Sequence, residues 1–168
     1  KFEVGNGSAS NPSGLSSPTA VSDFDINNFA TKASGTDPDN FTVDYVYAGD
    51  LDGNLWKFDI SATNPTQWND AVLMYSAGNS KPITAKPAVG TFPTRSAAVG
   101  NEQTRFVYFG TGQYIDPVDV SSTAAQSFYG IIDSDSCTSS TSACITDSDL
   151  VEQTITANSL VSSNPLSA

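Results

Sequence analysis

The chain has 168 residues, enough for one domain that buries its own core. It carries 18 Asp and Glu against 7 Lys and Arg, a net charge of −11, so its surface repels nucleic-acid backbones and anionic lipid and suits a divalent cation or a basic partner. The absence of histidine excludes Ser-His-Asp and Cys-His catalysis within this chain, and His-ligated zinc as well.

Short runs of Val, Ile, Tyr, Phe and Trp alternate with turn-forming residues along the whole chain, which is typical of an all-β protein. Four such runs occur in order and then recur. The first set is SPTAV ending at Val21, YVYAGD from Tyr45, LWKFDI from Leu55 and AVLMYSA from Ala71. The second set is AKPAV ending at Val89, FVYFGT from Phe106, FYGIID from Phe128 and DLVEQTI from Asp149.

A repeated unit of four antiparallel strands predicts β-propeller blades, each of which buries its faces against its neighbours. The two units span about residues 14–78 and 81–157. Because a propeller needs about four to eight blades to close, we predict a partial β-propeller of about two four-stranded antiparallel blades. The remaining blades of this larger, quinoprotein-like propeller are then expected on the same polypeptide. A compact β-sandwich with coincidental repetition is the alternative.

The stretch Asp50-Leu51-Asp52-Gly53-Asn54, between the second and third runs, looks like a calcium loop. An EF-hand loop places its Gly at position six, after three alternating oxygen ligands. Here Gly53 is fourth, and an apolar run follows at once. We therefore predict a hairpin turn in which Gly53 adopts a positive φ.

A better cation candidate lies between the first and second runs. Asp23, Asp25 and Asn27 place oxygen side chains at alternate positions, the spacing with which a loop wraps a hard cation. Carbonyl groups, water and later acids would have to complete the coordination. Those later acids are Asp37, Asp39 and Asp44. A solvated acidic loop without metal fits the same residues, and spacing alone slightly favours it.

The two cysteines and the lack of a membrane span bear on location. Cys137 and Cys144 enclose a short Ser- and Thr-rich loop, which predicts a disulfide that contributes about 2–3 kcal/mol by restricting the unfolded loop. Such a bond favours the periplasm, the cell surface or the exterior; two free buried thiols are the alternative. No apolar run is long enough for a membrane helix, and Lys1-Phe2 does not open a signal peptide, so we expect the numbering to begin inside a longer protein.

Six stretches between Pro12 and Ile155, taken in order, resemble the C-terminal β-propeller of the PilY/PilC family, the type IV pilus tip adhesins and biogenesis factors of bacteria. They are PSGLSSPTAV, DYVYAGDLDGNLWKFDI, KPITAKPAVG, VYFGTGQYI, QSFYGIID and SDLVEQTIT. The resemblance implies a secreted, non-enzymatic protein that reaches the cell surface or pilus tip through the periplasm and outer membrane. There it would prime pilus assembly, oppose retraction and mediate attachment. The implied partners are pilin or minor pilins and a host or abiotic surface.

The resemblance also implies calcium. In the family, a loop of the form D-x-D-x-D-x-x-x-D directly precedes the strand that begins YVYAGD. Asp23, Asp25 and Asn27 match its first three ligands, and Asp44 matches the last. An insertion, NFATKASGTDPDNFT, separates these parts. Either the loop folds back and binds the ion, with Asp37 or Asp39 as a replacement ligand, or the site has degenerated.

Two other functions fit the same strand pattern. A quinoprotein dehydrogenase propeller shares the VYxGxxDGxL strand and a Trp-containing connection such as FDISATNPTQW. It would need a carboxylate base and a calcium ion in its central funnel, whereas the acids here lie mainly in an insertion and in turns. A generic extracellular propeller that binds carbohydrate or protein is the third interpretation.

Overall fold

A computed structural model of the chain describes residues 1–5, 7–22, 42–93, 103–133 and 136–154. The strands in this part form two antiparallel sheets. The first has the order β1-β2-β3-β4, with β1 Thr19–Val21, β2 Tyr45–Gly49, β3 Asn54–Asp59 and β4 Val72–Ser76. The second has the order β5-β6-β7, with β5 Ala88–Pro93, β6 Gln103–Gly110 and β7 Phe128–Asp133. Single 3₁₀ turns lie at Pro65–Gln67, Pro117–Ser121 and Asp147–Asp149.

The first sheet is the four-stranded meander that the sequence predicts. Its strands follow the four apolar runs of the first set, and each strand pairs with the next one along the chain. In the β2–β3 hairpin Tyr45 pairs with Asp59 and Gly49 with Leu55. The register shifts between Leu55 and Trp56 where β3 meets β4. The prediction of an all-β fold is confirmed.

The second sheet has three strands in the described part of the chain rather than the four predicted. The run DLVEQTI from Asp149 was expected to form the fourth. Instead, Asp147–Asp149 form a 3₁₀ turn and residues 150–154 are irregular. The run carries only Leu150 and Val151 before Glu152, so it has little apolar surface with which to hold a strand on the sheet.

The main core lies between the two sheets. Alternate residues of β2 and β3 pack here against alternate residues of β6 and β7, as the period of two in a strand requires. From β4 the consecutive residues Met74 and Tyr75 both join this core. The buried members of this cluster are Tyr47, Leu55, Val72, Met74, Tyr75, Ile83, Val107, Phe109 and Ile131. The opposite face of the first sheet buries Ala48, Trp56, Phe58, Ala71 and Leu73, and Phe2 and Val4 of the N-terminal segment pack against it.

Candidate functional site

The β2–β3 hairpin is held by Asp50. Its Oδ1 accepts a hydrogen bond from the Asn54 backbone N–H at 2.8 Å, and its Oδ2 accepts from the Trp56 indole at 2.7 Å. The Asn54 amide also donates to Oδ2, at 3.0 Å. Gly53 has φ +82°, and an alanine Cβ at this position would lie 2.4 Å from the Gly78 carbonyl oxygen. The interpretation of this stretch as a turn is confirmed, and the Asp50 carboxylate stabilises the turn by accepting these hydrogen bonds.

The two ends of the β1–β2 connection lie side by side at the end of the first sheet. The Asp44 backbone N–H donates to the Val21 carbonyl at 2.9 Å, and the Ile60 N–H donates to the Asp44 carbonyl at 2.8 Å. Asp44 is only 5% exposed. The last of the predicted calcium ligands is therefore a fixed, buried residue at the base of this connection.

The other predicted ligands, Asp23, Asp25, Asn27, Asp37 and Asp39, lie outside the described residues. Within the described residues, no group of three or more acidic or cysteine side chains is placed to hold a metal ion. The calcium site therefore stays a prediction, with Asp44 as its one located member.

A buried cluster of charged side chains joins the two sheets. Lys57 Nζ on β3 lies 2.7 Å from Asp133 Oδ2 on β7, and Arg105 Nε on β6 lies 3.4 Å from the same oxygen. The Tyr47 hydroxyl on β2 donates to this carboxylate as well. All four side chains are almost fully buried, so one carboxylate links strands of both sheets.

Tyr45 connects this cluster to Asp44, which precedes it in the chain. Lys57 Nζ lies 4.4 Å from the centre of the Tyr45 ring, and the Arg105 guanidinium carbon lies 4.1 Å from it. Both distances are those of cation–π contacts. Burial, and then the charge of Asp133, raise the pKa of the Tyr47 hydroxyl far above its ordinary value. This hydroxyl therefore remains a hydrogen-bond donor at any physiological pH.

The sequence contains a signal for this cluster. Lys57, Arg105 and Asp133 all occupy core-facing positions in the alternation of their strands, in line with Leu55, Val107 and Ile131. Charged residues that continue an inward row need partners. Which residues become partners depends on how the two sheets dock, and the sequence of a single strand does not contain that information.

The β6–β7 connection presents apolar side chains on an ordered loop. Asp119 accepts hydrogen bonds from the backbone N–H groups of Asp116 and Ile115 and from the Gln113 amide, and these bonds lower the pKa of its carboxyl. Four large apolar residues of the loop remain exposed, between 67 and 80% of their area. They are Tyr114, Ile115, Val118 and Val120.

The two cysteines lie together beside the inter-sheet core. Both are half-buried thiols, and Cys137 makes a hydrogen bond with Cys144. Burial, followed by this hydrogen bond, raises the pKa of the Cys137 thiol to about 12. The predicted disulfide stays a prediction, but the pair is close.

The family model of the PilY1 β-propeller domain matches residues 1–164 of this chain. The chain belongs to the PilY1 β-propeller family. Curated relatives include the type IV pilus biogenesis factor PilY1 of Pseudomonas aeruginosa, 32% identical over 158 residues that cover 79% of this chain and 12% of that protein. A PilY1 homologue of Xylella fastidiosa is 36% identical over 111 residues, which cover 60% of this chain and 7% of that protein.

A solved PilY1 structure extends the match to the fold. The crystal structure of the P. aeruginosa PilY1 C-terminal domain superposes with a TM-score of 0.60 at 27% identity, over 99% of this chain and 38% of that one. The prediction of a partial β-propeller from the PilY family is therefore confirmed. The chain spans about a tenth of the length of its curated PilY1 relatives.

The described residues contain no helix that is both long and apolar enough to cross a membrane.

Proposed function

We propose that this chain is part of a non-enzymatic type IV pilus biogenesis factor and adhesin, exposed on the cell surface at the pilus tip. The observation that carries the proposal is the family match over residues 1–164, because the curated PilY1 relatives are named as pilus biogenesis factors. The proposed role is to support pilus extension and surface attachment. The proposed partners are pilin or minor pilins, a host or abiotic surface, and the remaining propeller blades.

A binding role is supported by the loop between β6 and β7. Its four apolar side chains are exposed while hydrogen bonds from Asp116, Ile115 and Gln113 to Asp119 keep its backbone in shape. A preformed loop loses little conformational entropy when it binds. The loop contains two aspartates and no lysine or arginine, so it suits a partner whose apolar surface has a basic rim.

The non-enzymatic assignment is supported by what the buried carboxylates do. Asp50 accepts hydrogen bonds from a backbone N–H and an indole, and Asp133 accepts from a tyrosine and lies against two cations. Both carboxylates are almost fully buried and already occupied by donors or cations of the protein itself, so neither is open to a substrate. The alternative of a quinoprotein dehydrogenase predicts a bound quinone that absorbs visible light and quenches tryptophan fluorescence. A colourless full-length protein with unquenched fluorescence would exclude it.

Association with pili tests the main proposal. Pili sheared from the cells and purified should carry the full-length protein, and antibody labelling should place it at their tips. Cells that lack the protein should attach to glass less than the parent strain. A protein that remains wholly within cells, in a strain that makes pili, would overturn the surface assignment.

Calcium regulation is a second part of the proposal. The hydrogen bond between Asp44 and Val21 closes the base of the β1–β2 connection. Asp23 follows Val21 by two positions, so it is the predicted ligand that stands nearest in sequence to this hydrogen bond. Asp23, Asp25, Asn27 and Asp44, with Asp37 or Asp39, then supply the oxygen ligands that calcium prefers. Bound calcium would neutralise the repulsion among these carboxylates and order the connection.

Calorimetric titration of the full-length protein with calcium tests this part. Saturable binding is expected in the wild type and should be weakened at least tenfold in Asp23→Asn and in Asp44→Asn. Asp70→Asn, an exposed aspartate beside β4, is the matched control and should bind as the wild type does. Equal affinity in all four proteins would contradict the site. Binding by none of them would mean that the insertion has dismantled it.

A further inference from the structure

The outer edge of β4 is covered by the loop that contains the cysteines. β4 is the last strand of the first sheet, so one side of its backbone has no partner strand within that sheet. The Leu73 N–H donates to the Ser139 carbonyl at 2.8 Å. In return, the Cys144 N–H donates to the Leu73 carbonyl and the Ile145 N–H to the Met74 carbonyl, each at 3.0 Å. A parallel bridge pairs Tyr75 with Ile145. Residues 139–145 thus form an edge cover.

The middle of the edge cover has few apolar side chains that could anchor it against β4. Residues 138–142 read TSSTS, which have no apolar side chains to bury. The apolar groups that attach it to the protein stand at its two ends. Cys137, Cys144 and Ile145 pack against the inter-sheet core, and Ala143 packs against the cluster on the other face of the first sheet.

We propose that Cys137 and Cys144 form a disulfide that locks the edge cover onto β4 and closes this edge to strand addition by another chain. Unpaired strand edges are templates for pairing between molecules, and proteins commonly block them with a covering segment. The cross-link suits this purpose because it joins the two points at which the cover enters and leaves the core. Three backbone hydrogen bonds and the apolar contacts at its ends hold the cover, and without a cross-link the polar segment between those ends would open more often.

The bond forms by thiol–disulfide exchange with the disulfide of an oxidising protein. Two S–H bonds are lost, the Sγ–Sγ bond forms, and the two electrons reduce the disulfide of the oxidant to a dithiol, which also accounts for the two protons. The burial that disfavours the Cys137 thiolate makes this sulfur a poor leaving group for later reduction. A bond at this place therefore has the character of a permanent structural cross-link.

Thiol counting on the full-length protein, secreted by its own cells and denatured in alkylating reagent, is the first test. We expect the peptide that holds Cys137 and Cys144 to be recovered unalkylated and 2 Da lighter than its dithiol form. Alkylation of both residues without prior reduction would overturn the proposal.

Hydrogen exchange before and after reduction tests the lock itself. Reduction should speed exchange at least tenfold in peptides that contain the amides of Leu73, Cys144 and Ile145. Peptides from the centre of β6, which has partners on both sides, are the internal control and should not change. The double variant Cys137→Ser/Cys144→Ser should behave as the reduced wild type, and Ser140→Ala as the oxidised one. Unchanged exchange at these amides, or equal loss of protection in β6, would contradict a local lock.

Light scattering tests the consequence for association. The reduced protein should form larger species as its concentration rises, whereas the oxidised protein should not. Equal scattering by the two forms would show that the disulfide does not protect the edge of β4 from association.

Discussion

Asp133 links the two sheets through a single carboxylate. Its carboxylate is fully buried and takes a hydrogen bond or ion pair from Tyr47, Lys57 and Arg105, which come from three different strands. Burying two cations is costly, and their attraction to one carboxylate offsets that cost only while the charge is present. The cluster therefore fixes how the two sheets align.

Replacing this charge should be severe. Asp133→Asn keeps the shape of the side chain but leaves Lys57 and Arg105 buried without the anion they share. We expect the free energy of unfolding to fall by about 3–5 kcal/mol, as for other buried pairs that lose one partner. Denaturant titration followed by tryptophan fluorescence measures the change. The exposed Asp70→Asn should change it by less than about 0.5 kcal/mol, and a similarly small effect at Asp133 would contradict the role given to the cluster.

Among the elements, the β2–β3 hairpin shows most clearly how local sequence determines structure. The Asp50 carboxylate accepts a hydrogen bond from the Asn54 backbone N–H inside the turn. Gly53 has a positive φ, and the Gly78 carbonyl leaves no room for a side chain at this position. Gly78 also has a positive φ, of +87°, but an alanine Cβ there would meet nothing within 4 Å. Substitution of Gly78 therefore tests backbone strain alone, whereas substitution of Gly53 tests backbone strain together with a steric clash.

Alanine at the two glycines should have unequal effects. Gly78→Ala carries only the strain of a left-handed backbone and should cost about 1–2 kcal/mol. Gly53→Ala carries similar strain and also places its Cβ against two carbonyl groups, which should add about 1–3 kcal/mol. Thermal unfolding of both variants measures the difference. Equal losses of stability would contradict the crowding at Gly53.

Some of these elements are predictable from the sequence and others are not. The strands of the first sheet and the hairpin were predictable because alternation and turn residues are local signals. Two features were not predictable from local signals: the irregular course of residues 150–154, where a fourth strand of the second sheet is predicted, and the pairing of the cysteine loop with β4. Both depend on which surfaces of the folded chain are left uncovered. Asp44 could be identified from its place before Tyr45, whereas the contacts of Lys57 and Arg105 with the Tyr45 ring depend on strand pairing in the first sheet and on the packing of the second sheet against it.

At the scale of the molecule, the two sheets are covered unequally. The first sheet packs against the second on one face and against Phe2 and Val4 on the other. The outer face of the second sheet carries a row of aromatic rings, with Phe106 stacked on Tyr108 and Tyr108 stacked on Phe128. Phe128 is 74% exposed and the neighbouring Ile132 is 49% exposed. In a propeller such a face packs against the next blade.

A polypeptide of residues 1–168 alone should therefore associate through this face. We expect it to elute from size exclusion as oligomers and to bind a hydrophobic dye, while Phe128→Thr/Ile132→Thr restores a monomer. Val118→Thr/Val120→Thr removes comparable exposed apolar area from the β6–β7 loop and is the matched control, which should remain associated. A monomeric wild-type fragment that binds no dye would contradict the assignment of this face.

The measurement that tests the proposed function most directly is a count of surface pili in cells whose protein lacks this propeller segment. The count should be made in a strain with its retraction motor and in one without it. If the segment supports extension against retraction, pili should be nearly absent from the first strain and largely restored in the second. Normal numbers of pili in the strain that retains its motor would contradict the role in pilus biogenesis proposed for this chain.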